Sequence, residues 1–133
     1  MKVLLVLVVG LLLFGTPNTG RAAETYLHAR SRLLAKGFKP APIPRGGEYD
    51  QCGTSGEKTL CKRFPELVNC VGMGPDAGTC RMVFVAPNGR FYVVAAYGWE
   101  QPNSMHVTGM TWANAHDTRS IKNILAGKPE LSD

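Results

Sequence analysis

Two runs of β-forming residues dominate the hydrophobic pattern of the chain: "CRMVFVA" (80–86) and "RFYVVAAYG" (90–98), joined through Pro87, Asn88 and Gly89. An Asn-Gly dipeptide between such runs predicts a two-residue type I′ hairpin turn. With Asn88 and Gly89 at the turn centre, Ala86 faces Phe91, Phe84 faces Val93 and Met82 faces Ala95, with Cys80 and Tyr97 extending that face. Val83, Val85, Tyr92 and Val94 share the other. Both faces are apolar, the pattern of a central hairpin with one side on a helix.

That helix is predicted in "YLHARSRLLAKGF" (26–38), where Tyr26, Arg30, Leu33 and Leu34 fall on or near one face at helical spacing. Thr25 suits its N-cap. Gly37 suits a left-handed C-terminal cap, with Phe38 folding back on Leu33. Pro40, Pro42 and Pro44 then exclude helix and favour an extended path, a stiff connector more than a docking ligand. "GEKTLCKRFPEL" suggests short helical turns broken near Pro65, and "VGMGPDAGTC" a glycine-rich loop without the Lys-Ser/Thr ending of a phosphate cradle. After the loop "GWEQPNS", "MHVTGMTWA" supplies a third strand, with Gly109 marking a bulge or close approach. Ile121, Ile124 and Leu125 suit a short closing helix that Gly127 and Pro129 stop. The expected fold is α+β: a small antiparallel sheet of about three strands with the N-terminal helix packed on one face.

The first residues change where this domain is expected to reside. Met1-Lys2, the apolar run Val3 to Phe14, and the small and turn-forming residues that follow have the three-part pattern of a secretory signal peptide. The run is shorter than the roughly 20 residues a membrane span needs. Gly20 and Ala22 fit cleavage after Ala22, whereas cleavage after Ala23 would put Arg21 three places before the cut. The reading is therefore a leader over 1–22 and one small secreted or periplasmic domain over 23–133, with no stable membrane span. Loss of Lys2 and Arg21 lowers the formal net charge from +5 to +3. Arg30, Arg32, Lys36 and Lys39 do not form the clustered stripe that nucleic acid requires.

Cys52, Cys61, Cys70 and Cys80 have no C-x-x-C pair and no interleaved histidine. Tetrahedral zinc sites and thioredoxin-type redox centres both use close pairs, so two structural disulfides are expected, with neither metal nor other cofactor. Spacing does not choose among the three possible pairings. Sequential pairing, Cys52 with Cys61 and Cys70 with Cys80, closes two short loops and is the one carried forward.

The helix ending "LLAKGF", the segment "CKRFPELVNCVG" and the strand "CRMVFV" together resemble small exported bacterial proteins of the cell envelope with a four-cysteine framework. The resemblance covers roughly residues 26 to 97 and rests on cysteines, glycines and prolines. It implies an α+β envelope domain and transfers no catalytic or ligand residue.

No nucleophile elbow, His-Glu-x-x-His or paired-carboxylate motif is present. His28, Ser55, Ser104 and Ser120 stand alone, and with the thiols oxidised no cysteine nucleophile remains. His106, His116 and Asp117 are the candidates for an alternative reading as a small envelope enzyme or metal-binding protein, although a neighbouring His and Asp usually point apart on a strand and more commonly have a capping or surface role. The preferred expectation is a non-enzymatic, inhibitor-like binding or accessory module for an envelope or extracellular protein, a peptide or a cell-wall component. "AYGWEQPN" supplies its contact residues: Trp99 as anchor, with Tyr97, Glu100 and Asn103 around it.

Overall fold

The computed structural model describes residues 23–52, 58–72, 78–99 and 101–132. The leader assigned to 1–22, the candidates Ser55 and Glu100, and residues 73–77 of the glycine-rich loop lie outside these residues. The elements in order are α1 (Tyr26–Ala35), β1 (Lys39–Pro40), α2 (Lys58–Arg63), β2 (Leu67–Val71), β3 (Thr79–Val85), β4 (Phe91–Tyr97), β5 (His106–Trp112) and α3 (Ala115–Leu125).

The fold is α+β and its sheet antiparallel, but the sheet has five strands, not about three. β1, β3, β4 and β5 lie side by side, and β2 also pairs with β3. The two additional strands were hidden for different reasons. β1 is a two-residue pairing of Lys39 and Pro40 with Val85 and Phe84, within the extended path of the proline run. Proline is tolerated there because an edge residue need not donate to the ladder. β2 begins two residues after Pro65, and a register shift between Leu67 and Asn69 interrupts its alternation.

The hairpin forms in a register one residue from the expected one: Val85 pairs with Phe91, Phe84 with Tyr92, Val83 with Val93 and Met82 with Val94. The Gly89 amide donates to the Ala86 carbonyl at 2.8 Å, and the Ala86 amide to the Arg90 carbonyl at 2.8 Å. The connection is thus a three-residue loop over Pro87, Asn88 and Gly89. Among the described residues only glycines take positive φ, Gly89 at 81°. A type I′ turn would need positive φ at Asn88 too, whereas Pro87 is already set for the second position of a type I turn closed by a left-handed glycine. Because side chains alternate, the slip changes partners: Phe84 shares its face with Tyr92 and Val94, and Val83 with Val93 and Phe91.

Each face carries its own buried cluster. On the first, Met82, Phe84, Val94 and Ala96 join Tyr26 and Leu33 of α1, with Leu60, Phe64, Leu67 and Met105. On the second, Val83 joins Ala41, Ile43, Val68 and Ile121 of α3, and Val85, Phe91, Val93, Ile124 and Leu125 pack against them. The helix ends follow from local chemistry. The Thr25 side chain accepts from the His28 amide, and Gly37, at φ 84°, closes α1 while the Phe38 amide donates to the Leu33 carbonyl. Asn114 and Asp117 form a reciprocal capping box at the start of α3. The disulfides join Cys52 to Cys61 and Cys70 to Cys80, and no described cysteine is free.

Candidate binding groove

The second face of the sheet is built in rows across the strands. Val83, Val93 and Thr111 form one row, and Arg81, Ala95 and Gly109 the next. α3 covers the apolar row through Ile121. Arg81, in the next row, reaches the side of the sheet that the tail after α3 approaches, where it meets Glu130. Between this face of the sheet, α3 and the tail after it lies an open groove of about 620 Å³, whose lining includes Arg81, Thr111, His116, Asp117, Ser120 and Glu130. Val93, Ile121 and Leu131 supply its apolar surface.

An ion pair organises the polar wall. Arg81 Nη2 and Glu130 Oε1 are 2.6 Å apart, while Gln51 Nε2 and Ser120 Oγ donate to the two oxygens of the same carboxylate at 3.1 and 3.4 Å. Burial alone would raise the Glu130 pKa, but the Arg81 guanidinium and these hydrogen bonds outweigh it and hold the carboxyl below its ordinary value. Arg81 Nε is buried and has no hydrogen-bond partner among the described residues, which leaves a donor unspent in the wall of the groove.

The residues expected to form a contact rim divide between two sides of the sheet. Tyr97 lies on the second face, where its ring meets that of His106 at 5.0 Å between centroids. Beyond Gly98, at φ 86°, Trp99 turns to the other side and packs, partly buried, against the first core cluster. Its indole lies so close to Gly78 that a Cβ there would clash with the ring. Asn103 is exposed and accepts a hydrogen bond from Arg63 Nη2 at 2.9 Å.

The three residues of the enzymatic or metal alternative are not brought together. His106 begins β5, whereas His116 lies in α3 beyond the far end of that strand, and of the two only His116 lines the groove. Asp117 accepts from the Asn114 amide at 3.2 Å as a helix cap, while also lining the groove with His116. Among the described residues no group of three or more His, Cys, Asp and Glu side chains could hold a metal ion.

A second polar centre escaped the sequence reading. Glu66, just before β2, is fully buried and accepts from the Tyr26 hydroxyl at 2.6 Å and from Arg30 Nε at 2.5 Å. Burial, and then the adjacent carboxylate, push the Tyr26 hydroxyl far above its ordinary pKa, so it remains a donor. The Tyr26 ring meets Phe64 edge-on at 5.2 Å. This centre ties α1 to the start of β2. The one signal in the sequence was a lone acid in "RFPELV", which nothing in its spacing connects to Arg30.

No protein-family model matches the chain, and neither a curated protein nor a solved structure matches it. Two disulfides are compatible with an oxidising extracellular or periplasmic location. Among the described residues no helix is long and apolar enough to cross a membrane.

Proposed function

We propose that the protein is a non-enzymatic exported accessory domain, and that it receives an envelope or extracellular partner in the groove between the second sheet face and α3. The observation that carries this reading is the groove itself: an open volume of about 620 Å³ into which β3, β5, α3 and the following tail each contribute polar side chains over an apolar floor. Specific pockets combine apolar surface with a few placed donors and acceptors in this way. Tyr97 and His106 flank the same face two rows away and extend the surface a larger partner would cover. Trp99 and Asn103 keep the neighbouring loop in place.

The test is a titration of the ¹⁵N-labelled, oxidised 23–133 domain with soluble cell-wall muropeptides and, separately, with short extended peptides. Shifts are expected at the amides of Thr111, Ser120 and Leu131, and they should vanish in Thr111→Trp, which fills the groove. Shifts confined to residues 98–103 would overturn the assignment in favour of the aromatic loop. Turnover of a muropeptide that is lost in His116→Ala would overturn the non-enzymatic reading.

A further inference from the structure

Glu130 occupies a set of donors that the rest of the fold holds in place without it. Arg81 projects from β3, in the row where Asn69 of β2 and Ala95 of β4 flank it. Ser120 lies in α3 and is only 4% exposed. Gln51 precedes Cys52, which the disulfide to Cys61 anchors, and Asn69 Nδ2 donates to Gln51 Oε1 at 2.7 Å. That bond fixes which way the Gln51 amide points, so Nε2 faces the carboxylate. Donors from three separate segments thus converge on one group: Arg81 Nη2 at 2.6 Å and Ser120 Oγ at 3.4 Å on Oε1, and Gln51 Nε2 at 3.1 Å on Oε2.

The carboxylate itself arrives on a lighter support. Glu130 lies beyond Gly127, in a segment after α3 that belongs to no helix or strand. The Lys128 amide ties this segment to the Asn123 carbonyl at 2.9 Å, and Asn123 Nδ2 donates to the Pro129 carbonyl at 3.4 Å. Leu131, the next residue along the groove, is 37% exposed. The receptor is built into the sheet, α3 and a disulfide-tied turn, whereas the acid it holds rides on the groove's outer strap.

We infer, resting on the groove reading above, that Arg81, Ser120 and Gln51 form a receptor for the carboxylate of an incoming ligand, and that Glu130 is its tethered stand-in, displaced when the ligand binds. The ligand class is a carboxylate on a short extended chain, whose apolar groups lie against Val93 and Ile121 in the groove. The donors themselves select it, since a guanidinium flanked by an amide N–H and a hydroxyl matches a charged pair of acceptor oxygens. A neutral amide in the same place would leave the Arg81 charge without its counter-ion. Glu130 also leaves Arg81 Nε without a partner, the contact of a tethered acid that does not engage the full guanidinium fork. Asp117, the other acid lining the groove, is taken by the Asn114 amide at the start of α3. Exchange replaces one carboxylate by another, so the ligand competes chiefly with the high effective concentration of the tethered one.

The experiment measures binding of N-acetyl-dialanine, with a free C-terminal carboxylate or with a C-terminal amide, by ¹⁵N spectra of the oxidised protein and of its Glu130→Ala and Glu130→Gln variants. The acid is expected to bind the parent protein weakly while displacing the amide resonances of Lys128, Glu130 and Leu131. It should bind Glu130→Ala about tenfold or more tightly than the parent, with a gain in the same direction for Glu130→Gln, which keeps the shape of the strap; the amide should gain nothing. Arg81→Met added to Glu130→Ala should abolish the gain. Equal affinity of the acid for the parent and both variants, a gain that survives Arg81→Met, or no binding of the acid to Glu130→Ala would each overturn the inference. Equal binding of acid and amide, with shifts at Thr111 and Ser120, would overturn the carboxylate receptor and leave the groove reading standing.

Discussion

Replacing Glu66 by Gln should be among the most damaging conservative changes available in this protein. The carboxylate is fully buried between Tyr26, also buried, and Arg30, whose side chain is 24% exposed. Glutamine keeps one acceptor for the Tyr26 hydroxyl or Arg30 Nε. Its amide, however, places a donor against Arg30 Nη2, where Oε2 now accepts at 3.4 Å. Hydrogen bonds to charged groups contribute roughly 1.5–3 kcal/mol each, and stripping one partner from a fully buried pair costs about 3–5 kcal/mol. Arg30 retains contact with water, which relieves part of its charge, so the expected loss for Glu66→Gln is about 2–3 kcal/mol. Tyr26→Phe removes one hydrogen bond and leaves the ion pair intact, with an expected loss of about 1 kcal/mol. Urea denaturation of the oxidised domain measures both, with unchanged m-values showing that the native and denatured states are otherwise comparable. The two changes should not add, since both act on one carboxylate. A Glu66→Gln protein within about 0.5 kcal/mol of wild type, or strict additivity with Tyr26→Phe, would refute the reasoning.

Gly89→Val should destabilise the domain by roughly 1–2 kcal/mol, because φ of 81° strains any β-branched residue, while Gly89→Asn should cost less. Nothing lies within 4 Å of a Cβ at this position, so the loss measured by denaturation isolates backbone strain. Trp99→Ala and Gly78→Ala should both lower the melting temperature, the first by opening the rim of the core and the second by displacing the indole; unchanged melting in both would show the ring is not packed there. Thiol titration of the oxidised protein should find no free cysteine among those described, and reduction should remove roughly 2–3 kcal/mol per bridge, since the paired cysteines are 9 and 10 residues apart. Glu130 and Asp50 are both held below their ordinary values: burial opposes this, but Arg81 and its neighbours prevail at Glu130, and the Gly46 and Cys52 amides with Arg45 prevail at Asp50. Their contribution to stability is thus complete above the ordinary carboxylate range and lost as pH falls through the lowered values, and Arg81→Met should flatten the Glu130 part of a stability–pH profile.

Local chemistry was legible in the sequence wherever neighbouring residues sufficed to decide it. The termination of α1 at Gly37 and Phe38, the stop after α3 at Gly127, the existence of the hairpin and the bulge near Gly109 in β5 all follow from residues within a few positions of one another. So does the α+β class, since alternation and helical spacing are properties of short windows. The hairpin register needed one competition to be judged: Pro87, ready for a type I turn, overrides the preference of Asn88-Gly89 for type I′, and a one-residue slip exchanges every partner across the strands. Long-range pairing lay out of reach. β2 exists because Cys70, Asn69 and Val71 find Cys80, Arg81 and Thr79, and β1 because two residues of a proline run meet the end of β3. The groove belongs to the same class of fact. Arg81 and Glu130 are 49 positions apart in the numbering, Thr111 and Ser120 come from different elements, and only the packing of α3 over the sheet makes them neighbours. Composition and spacing determined which short segments could form; the burial of Glu66 and the division of Tyr97 from Trp99 were decided by which faces the tertiary structure covered.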